Sequence, residues 1–154
     1  MRSSELYDRD YYAWIQHQVQ ALRERRIEDV DWANAAEEIE DLGKSERRGI
    51  RSHLARLLEH LLKLQYSRRT PRANNRRGWT LSIKGARIAI EDLLSDSPSL
   101  RLQLPEMLAQ AYQIARIEAL RKARLSDETV PESSPWTVEQ LMDDSFLPTE
   151  YRNK

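Results

Sequence analysis

The most regular hydrophobic pattern in the chain lies between Ser45 and Ser67. Its apolar positions recur at intervals of three and four residues and are Ile50, Leu54, Leu57, Leu58 and Leu61. The positions between them form a polar stripe of Ser52, Arg56, Glu59 and Lys63. Because an α-helix has about 3.6 residues per turn, this pattern predicts an amphipathic helix with a wide apolar face. We expect that face to form the centre of the core and to pack against more than one neighbour.

The residues before this stretch predict a second helix that begins at Asp31, a good N-cap residue. The predicted buried face of this helix consists of Trp32, Ala36, Ile39 and Leu42. Gly43 followed by Ser45 is typical of one helix ending and the next beginning, so a break is favoured there. A single kinked helix from Asp31 to Ser67 is the alternative that the pattern leaves open.

Other apolar stripes predict further helices on either side. The first helix is predicted to begin at Asp8 as its N-cap, with an apolar face of Tyr11, Trp14, Ile15, Gln18 and Leu22. Another is predicted from Trp79 or Thr80 to Leu94. The next is predicted to run from Ser97 toward Leu125, with a kink or a restart at Pro105. A capping-box pattern from Thr137 to Gln140 predicts a short last helix that ends near Met142.

These elements predict an all-α protein that forms a four-helix-bundle-like single domain over residues 1–154. The domain is expected to contain a long central helix pair, either kinked or broken, and a short C-terminal helix. The tail after about residue 148 is expected to be loose. Length supports one domain, because 154 residues can hold a core without disulfides or metals. Composition agrees: only 4 of the residues are Gly, and charged residues make up 32%.

Several classes of function have no basis in the sequence. The chain has no Cys, which excludes disulfides and thiol nucleophiles, and its 25 basic and 25 acidic residues balance. The sequence contains no run of 18 apolar residues, which a membrane-spanning helix would need, and no signal peptide is visible. We therefore expect a cytoplasmic protein. The short motifs of nucleotide-binding loops, serine hydrolases and zinc proteases do not occur. We expect no cofactor.

Nor do the histidines predict a metal site. His53 and His60 are seven residues apart, which corresponds to about 10.5 Å of helix rise. One ion held at about 2 Å from each imidazole nitrogen cannot bridge that distance. The Glu-x-x-His pattern of di-iron bundles is also missing. The expected metal content is therefore none.

Short pieces of sequence occur in a characteristic order along the chain. They are Tyr7-Asp8-Arg9-Asp10-Tyr11-Tyr12-Ala13-Trp14, Asp31-Trp32, Glu37-Glu38-Ile39, Ser52, Leu54, Leu57-Leu58, His60-Leu61-Leu62-Lys63, Trp79, Ile83, Arg87, Pro98-Ser99-Leu100, Tyr112, Ala115-Arg116, Pro135-Trp136-Thr137 and Phe146-Leu147-Pro148. In that order and spacing the chain resembles the bacterial family catalogued as domain of unknown function 29, common in cyanobacteria. The resemblance covers Leu6 to Pro148. It implies a helical fold, but it implies no established activity and transfers no catalytic residue.

The candidate catalytic residues are His60, Glu37, Glu38, Lys63 and Arg87. A histidine beside a carboxylate can act as a general base, and paired carboxylates can do acid–base work. The structural interpretation of the same residues is favoured. It makes His60 a boundary residue bonded to a neighbouring helix, with Glu37 or Glu38 as the partner, and pairs one of these acids with Arg87 or His60. Trp14, Trp32 and Trp79 are expected in the core, and Trp136 is expected to pin the C-terminal arm to the bundle.

Five arginines lie close together between two predicted helices: Arg68, Arg69, Arg72, Arg76 and Arg77. Arginines in such a cluster can track a phosphate backbone, so this segment is the candidate site for phosphate or nucleic acid. The alternative is a solvated loop whose arginines pair with acidic stretches, which the balanced net charge favours.

The function that these observations favour is a non-enzymatic protein- or nucleic-acid-interaction module. A protein partner or self-association is expected first, nucleic acid is possible through Arg68–Arg77, and no membrane is expected. The alternative is a small nucleic-acid-processing enzyme of a toxin type, which would use His60 with a carboxylate and the arginine-rich loop.

Overall fold

The computed structural model describes residues 2–67 and 73–148, and all the regular secondary structure in these ranges is helical. The helices are α1 (Ser3–Arg9), α2 (Tyr11–Arg23), α3 (Trp32–Tyr66), α4 (Ala73–Asp96), α5 (Leu104–Lys122) and α6 (Val138–Met142). Short 3-10 turns cover Ile27–Asp29 and Pro98–Gln103. The all-α prediction is therefore confirmed. The chain divides into two compact units, Met1–Ser45 and Glu46–Lys154, and the single-domain organisation stays a prediction.

The N-terminal unit begins with two helices where the sequence predicted one. The predicted N-cap at Asp8 is wrong, because Asp8 lies inside α1. Asp10 separates α1 from α2 with a non-helical backbone (φ −150°, ψ 88°), and its side chain accepts a hydrogen bond from the Ala13 amide at 3.0 Å. A carboxylate in this position satisfies one of the amide groups that a helix start leaves unpaired.

The third helix is continuous from Trp32 to Tyr66. The favoured break at Gly43 and Ser45 is therefore wrong, and the alternative of one long helix is the correct one. A glycine inside a helix costs only about 1 kcal/mol relative to alanine, which good helix formers on both sides can offset. Glu40 and Lys44 flank Gly43 and lie 4.0 Å apart, in the spacing that supports a helix.

The predicted buried face at the start of α3 is wrong as well. Trp32, Ile39 and Leu42 are 60%, 67% and 68% exposed. Within the same unit, Trp14, Ala21 and Val30 are buried, so the unit has only a small core. Helical periodicity correctly placed these side chains on one face, but the described structure leaves that face open.

The second unit contains the main core, and the predicted central role of the stretch before Ser67 is confirmed. Buried side chains of α3, from Ile50 to Leu64, pack with those of α4 and α5. The core residues of these two partner helices are Ile83, Ala86, Ile90, Leu94, Leu104, Met107, Ala111, Tyr112, Ala115 and Ala119. Trp79 is half-buried and packs against this cluster.

Two of the helix boundaries differ from their predicted positions. Helix α4 begins at Ala73, ahead of the predicted start at Trp79 or Thr80, so the second half of the arginine-rich segment is helical. The helix predicted from Ser97 opens as the 3-10 turn Pro98–Gln103, and the Ser97 side chain makes no capping hydrogen bond. The predicted restart near Pro105 is confirmed, because α5 begins at Leu104.

The C-terminal segment follows its prediction closely. Thr137 accepts a hydrogen bond from the Gln140 amide, and the Gln140 side chain accepts one from the Thr137 amide, which is the predicted capping box of α6. Trp136, which was predicted to pin this segment to the bundle, is buried in the main core. The predicted loose tail lies outside the described residues.

Candidate functional site

The strongest concentration of buried charge lies on α3 around Glu59. The Glu59 carboxylate accepts a hydrogen bond from Lys63 Nζ at 3.1 Å and another from Lys122 Nζ at 3.0 Å. Lys122 also lies 3.3 Å from Glu118, one turn earlier on α5. Lys63 Nζ stands 6.0 Å from the centre of the Trp79 ring, within reach of a cation–π interaction. The network therefore connects three helices of the second unit.

The charge state of Glu59 follows from its two lysines. Burial alone would raise the pKa of this carboxyl, but the hydrogen bonds from Lys122 and Lys63 outweigh burial and hold the pKa below its ordinary value. Glu59 is consequently ionised near neutral pH, and both of its oxygens already accept a charged donor. Such a carboxylate is a poor general base and a good bridge between helices.

His60 is the neighbouring candidate base. Its Nδ1 lies 2.7 Å from the backbone carbonyl of Arg56, which can only accept, so Nδ1 donates and the lone pair resides on Nε2. Burial lowers the pKa of His60, which keeps the ring neutral at pH 7. Glu59 lies 3.8 Å from Nδ1. The histidine thus sits at a boundary as predicted, but it bonds to its own helix and not to a neighbouring one.

Arg87 was a candidate for catalysis, and the structure gives it a different set of partners. Its side chain is 2% exposed, and its guanidinium donates to the backbone carbonyls of Leu141 at 2.7 Å and Phe146 at 2.8 Å. A weaker contact reaches the carbonyl of Gln140 at 3.5 Å. The Leu141 carbonyl lies in the last turn of α6, where a helix leaves acceptors unpaired, and the Phe146 carbonyl lies beyond the end of that helix. Arg87 therefore anchors the C-terminal segment to α4.

A second arginine anchor was not predicted. Arg116 on α5 donates to the backbone carbonyls of Asp127, Val130 and Pro131 at 2.9, 3.1 and 3.0 Å. The Tyr112 hydroxyl donates to the same Pro131 carbonyl at 2.5 Å, and burial raises the pKa of Tyr112 to about 12. No local sequence signal identifies such partners, because the acceptors are backbone carbonyls of an irregular segment.

Glu38, the other candidate acid, belongs to an aromatic cluster in the N-terminal unit. It accepts hydrogen bonds from the hydroxyls of Tyr7 at 2.6 Å and Tyr11 at 2.5 Å. The bond to this carboxylate raises the pKa of Tyr7 to about 12, and the two hydroxyls lower the pKa of Glu38. The ring of Tyr7 packs edge-on against that of Trp14 at 4.8 Å. Glu38 therefore ties α1 and α2 to α3, while Glu37 is exposed.

Polar side chains of the N-terminal unit hold the connection between α2 and α3 in place. Trp14 Nε1 donates to the Asp31 carboxylate at 3.1 Å. The buried Gln18 accepts a hydrogen bond from the Asp31 amide at 2.7 Å and donates to the Asp29 carbonyl at 3.3 Å. These bonds fix the start of α3 beside α2.

The open apolar faces of the N-terminal unit follow a shared pattern. On α3 the positions are Trp32, Ala35, Ile39 and Leu42, and on α2 they are Tyr12, Ile15, Val19 and Leu22. Both sets have spacings of three, four and three residues, the repeat of helices that pack along a seam. Tyr12, Val19 and Leu22 are exposed like Trp32, Ile39 and Leu42. We call the α3 set the N-terminal face.

Charge is divided unevenly between the two units. Residues 1–45 contain 6 Lys or Arg and 11 Asp or Glu, against 19 and 14 in residues 46–154. The balanced total of the chain therefore conceals an acidic N-terminal unit and a basic second unit. Glu37, Glu40 and Asp41 are exposed on the helix that carries the N-terminal face.

Only part of the arginine-rich segment falls within the described ranges. Arg76 and Arg77 are exposed in the first turns of α4, and the Arg76 carbonyl accepts a hydrogen bond from the Thr80 hydroxyl at 3.0 Å. Arg68, Arg69 and Arg72 lie outside the described residues.

Metal binding requires a group of ligating side chains, and membrane insertion requires a long apolar helix. Across residues 2–67 and 73–148, no three His, Asp or Glu side chains are grouped so that they could hold a metal ion. In the same ranges, none of the helices is both long enough and apolar enough to cross a membrane.

Together the fold and these clusters define an all-α protein of two helical units, in which arginine anchors fix the irregular segments and the buried Glu59 pairs with two lysines. The chain belongs to the family described as Domain of unknown function DUF29, whose sequence model matches residues 6–147. The resemblance noted from the sequence is thereby confirmed. No curated protein and no solved structure matches the chain at a significant level.

Proposed function

We propose that this protein is a non-enzymatic interaction module whose N-terminal unit docks a partner protein. The observation that carries the proposal is the exposure of Trp32, Ile39 and Leu42 along one stripe of α3. Large apolar side chains in a continuous stripe lose hydration energy when another surface covers them, by about 25 cal/mol for each Å² of apolar area. Exposed apolar stripes of this kind mark interaction sites.

The chemistry around the N-terminal face selects the partner. A stripe with spacings of three and four residues fits the side chains of another helix. The unit that carries this stripe is acidic as a whole, and Glu37, Glu40 and Asp41 are exposed on the other side of the same helix. Opposite charge around an apolar contact steers association and rejects partners of like charge. The partner that fits best is a basic amphipathic helix.

The enzymatic alternative receives less support from the same residues. Glu59 is occupied by two lysines, and Arg87 is occupied by backbone carbonyls. The lone pair on Nε2 of His60 and the exposed carboxylate of Glu37 are the candidate bases that this leaves. A base does not by itself define a reaction.

A pair of designed peptides tests the proposal. The probe has three heptads with Leu at the core positions and Lys at the flanking positions, and the control peptide carries Glu in place of each Lys. We expect the dilute full-length chain to bind the Lys peptide in fluorescence anisotropy, with an affinity that falls as salt rises, and to bind the Glu peptide far more weakly.

Two matched variants assign the binding to the N-terminal face. Ile39→Asp should weaken binding of the Lys peptide by more than about tenfold, because an unpaired carboxylate would enter an apolar contact. Ile117→Asp is the control, since Ile117 is 63% exposed on α5, outside the N-terminal face. Equal binding of both peptides, or unchanged binding by Ile39→Asp, would contradict the proposal.

Binding of nucleic acid is the second candidate function. It is favoured by the exposed Arg77 at the start of α4 and by the excess of basic residues in the second unit. The residues proposed for phosphate contacts remain Arg68, Arg69, Arg72, Arg76 and Arg77. The test of this candidate is how the affinity for duplex DNA changes with salt concentration.

A further inference from the structure

We propose that the occupant of the N-terminal face is a second copy of this chain, and that two copies exchange contacts to form a closed dimer. This inference rests on the proposed function, because it uses the same face and names its partner. The surface that it docks on is a stripe of α4, which we call the α4 stripe, consisting of Arg77, Leu81, Lys84 and Ile88.

The α4 stripe combines apolar side chains with basic ones on one side of the helix. Its residues are spaced by four, three and four positions, which places them on one side of the helix. Leu81 and Ile88 are 59% and 62% exposed, and Arg77 and Lys84 are exposed as well. The stripe therefore alternates apolar and basic side chains on an open helix surface, whereas the N-terminal face is apolar and belongs to an acidic unit.

The distribution of charge favours contacts between unlike units. Two N-terminal units, each with 11 acidic and 6 basic residues, would repel one another. An N-terminal unit brought to a second unit, with 19 basic and 14 acidic residues, would be attracted. Every copy of the chain carries one surface of each kind, so the chain contains a complete pair of complementary surfaces.

A reciprocal exchange makes this contact twice. The N-terminal face of each copy docks on the α4 stripe of the other copy, which gives the two-fold symmetry that most homodimers have. Once the first contact has formed, the second forms within the same complex and gains from the high effective concentration. Two modest helix contacts can together produce a stable dimer in this way.

The first measurement is the mass of the full-length chain by sedimentation. We expect a dimer at about 0.1 M salt and a dissociation constant at least about tenfold higher at about 1 M salt, where the Debye length falls from about 10 Å to about 3 Å. The Lys peptide should compete for the same face and convert the dimer to monomers. A monomer at all concentrations, or a larger open assembly, would overturn the proposal.

A mixing experiment separates exchange from pairing of like surfaces. Ile39→Asp damages the N-terminal face, and Leu81→Asp damages the α4 stripe, so either variant alone should be monomeric. Mixed together, they retain one intact contact, between the N-terminal face of the Leu81→Asp copy and the α4 stripe of the Ile39→Asp copy. We therefore expect a heterodimer that is weaker than the wild-type dimer.

A control variant and a measurement of helix content distinguish loss of the dimer contact from loss of the fold. Ile117→Asp should remain a dimer, and circular dichroism should show that all three variants keep their helix content. A Leu81→Asp variant that still dimerises, or a mixture that forms no heterodimer, would overturn the exchange. If the chain is a monomer but binds the Lys peptide through Ile39, the self-association is wrong while the proposed interaction module stands.

Discussion

Gly43 shows at the scale of one residue how weak a local helix signal can be. The backbone stays helical through this position, and among the described residues no heavy atom outside the adjoining helix backbone and chain neighbours lies within 4 Å of the place where a Cβ would stand. The glycine therefore lowers helix propensity without any packing requirement for its small size.

Replacement of Gly43 by Ala should stabilise the protein by about 0.5–1 kcal/mol, because alanine loses less backbone entropy in a helix. The measurement is the free energy of unfolding in urea. Ser45→Ala is the companion variant: in a continuous helix it should cost almost nothing, whereas the loss of a true N-cap would cost about 1 kcal/mol. A loss of stability in both variants would contradict the continuous helix.

His60 gives a prediction for the dependence of stability on pH. Its pKa in the folded protein is below the ordinary value because of burial, so the unfolded chain binds the proton more readily. Stability is therefore unaffected well above pH 6.5 and declines as the pH falls below that value, by at most about 1.4 kcal/mol per pH unit for one histidine. Burial gives His53 a shift of the same direction.

His60→Gln should flatten the loss of stability between about pH 7.5 and pH 5.5, measured by urea unfolding at each pH. Adding His53→Gln should flatten it further, since the two shifts have the same sign. Below about pH 4.5 the decline should persist in these variants, because the lowered pKa of Glu59 stabilises the fold only while that carboxyl is ionised. A steeper decline in His60→Gln than in the wild type would refute the assignment.

At the scale of the structural elements, arginine side chains hold the irregular segments in place. Helix α6 has only five residues and cannot be stable alone. Its position depends on Trp136 in the core and on Arg87, whose guanidinium donates to the Leu141 carbonyl in the last turn of the helix and to the Phe146 carbonyl beyond it. Glu59 plays the equivalent role between α3 and α5.

Arg87→Ala should lower the free energy of unfolding by about 2–5 kcal/mol, since it removes charged hydrogen bonds from a buried site and leaves a void. It should also make the segment that follows Trp136 a preferred site of limited proteolysis. Arg101→Ala is the matched control: its ion pair with Glu91 is at the surface, so the cost should be no more than about 1 kcal/mol. Equal costs for the two variants would show that Arg87 is not an anchor.

The whole molecule joins an acidic unit to a basic one, which affects what it can bind. The excess of basic residues in the second unit attracts phosphate groups, but the acidic unit of the same chain repels them, and the total charge is zero. A protein partner for the N-terminal face remains compatible with both properties.

We expect wild-type protein and an Arg76→Ala, Arg77→Ala double variant to bind duplex DNA equally weakly at about 0.1 M salt. The reason is that long-range repulsion by the acidic unit offsets the local arginines. The measurement is a filter or anisotropy titration over a range of salt. A slope of log affinity against log salt near −4, reduced by roughly 1–2 in the double variant, would instead establish a nucleic-acid surface at this segment.

Local patterns were sufficient for several features of the fold. The leucines between Ile50 and Leu64 predicted the centre of the core, because few arrangements other than a buried helix satisfy so wide an apolar face. The restart at Pro105 and the capping box at Thr137 were likewise correct, since they depend on residues within one helical turn. Asp8 failed as an N-cap because Asp10, two residues later, offers the same chemistry.

Features that depend on distant partners were beyond such patterns. Periodicity placed Trp32, Ile39 and Leu42 on one face of a helix, but it cannot tell whether another element covers that face. Arg87 binds the Leu141 carbonyl 54 residues away, Arg116 binds the Asp127 carbonyl 11 residues away, and Glu59 binds Lys122 63 residues away. The sequence by itself determined the helices and the centre of the core, because hydrophobic periodicity and capping act within a few turns. Only the tertiary structure decided which faces stay open and which charges are paired, because both depend on the packing of helices that are remote in the chain.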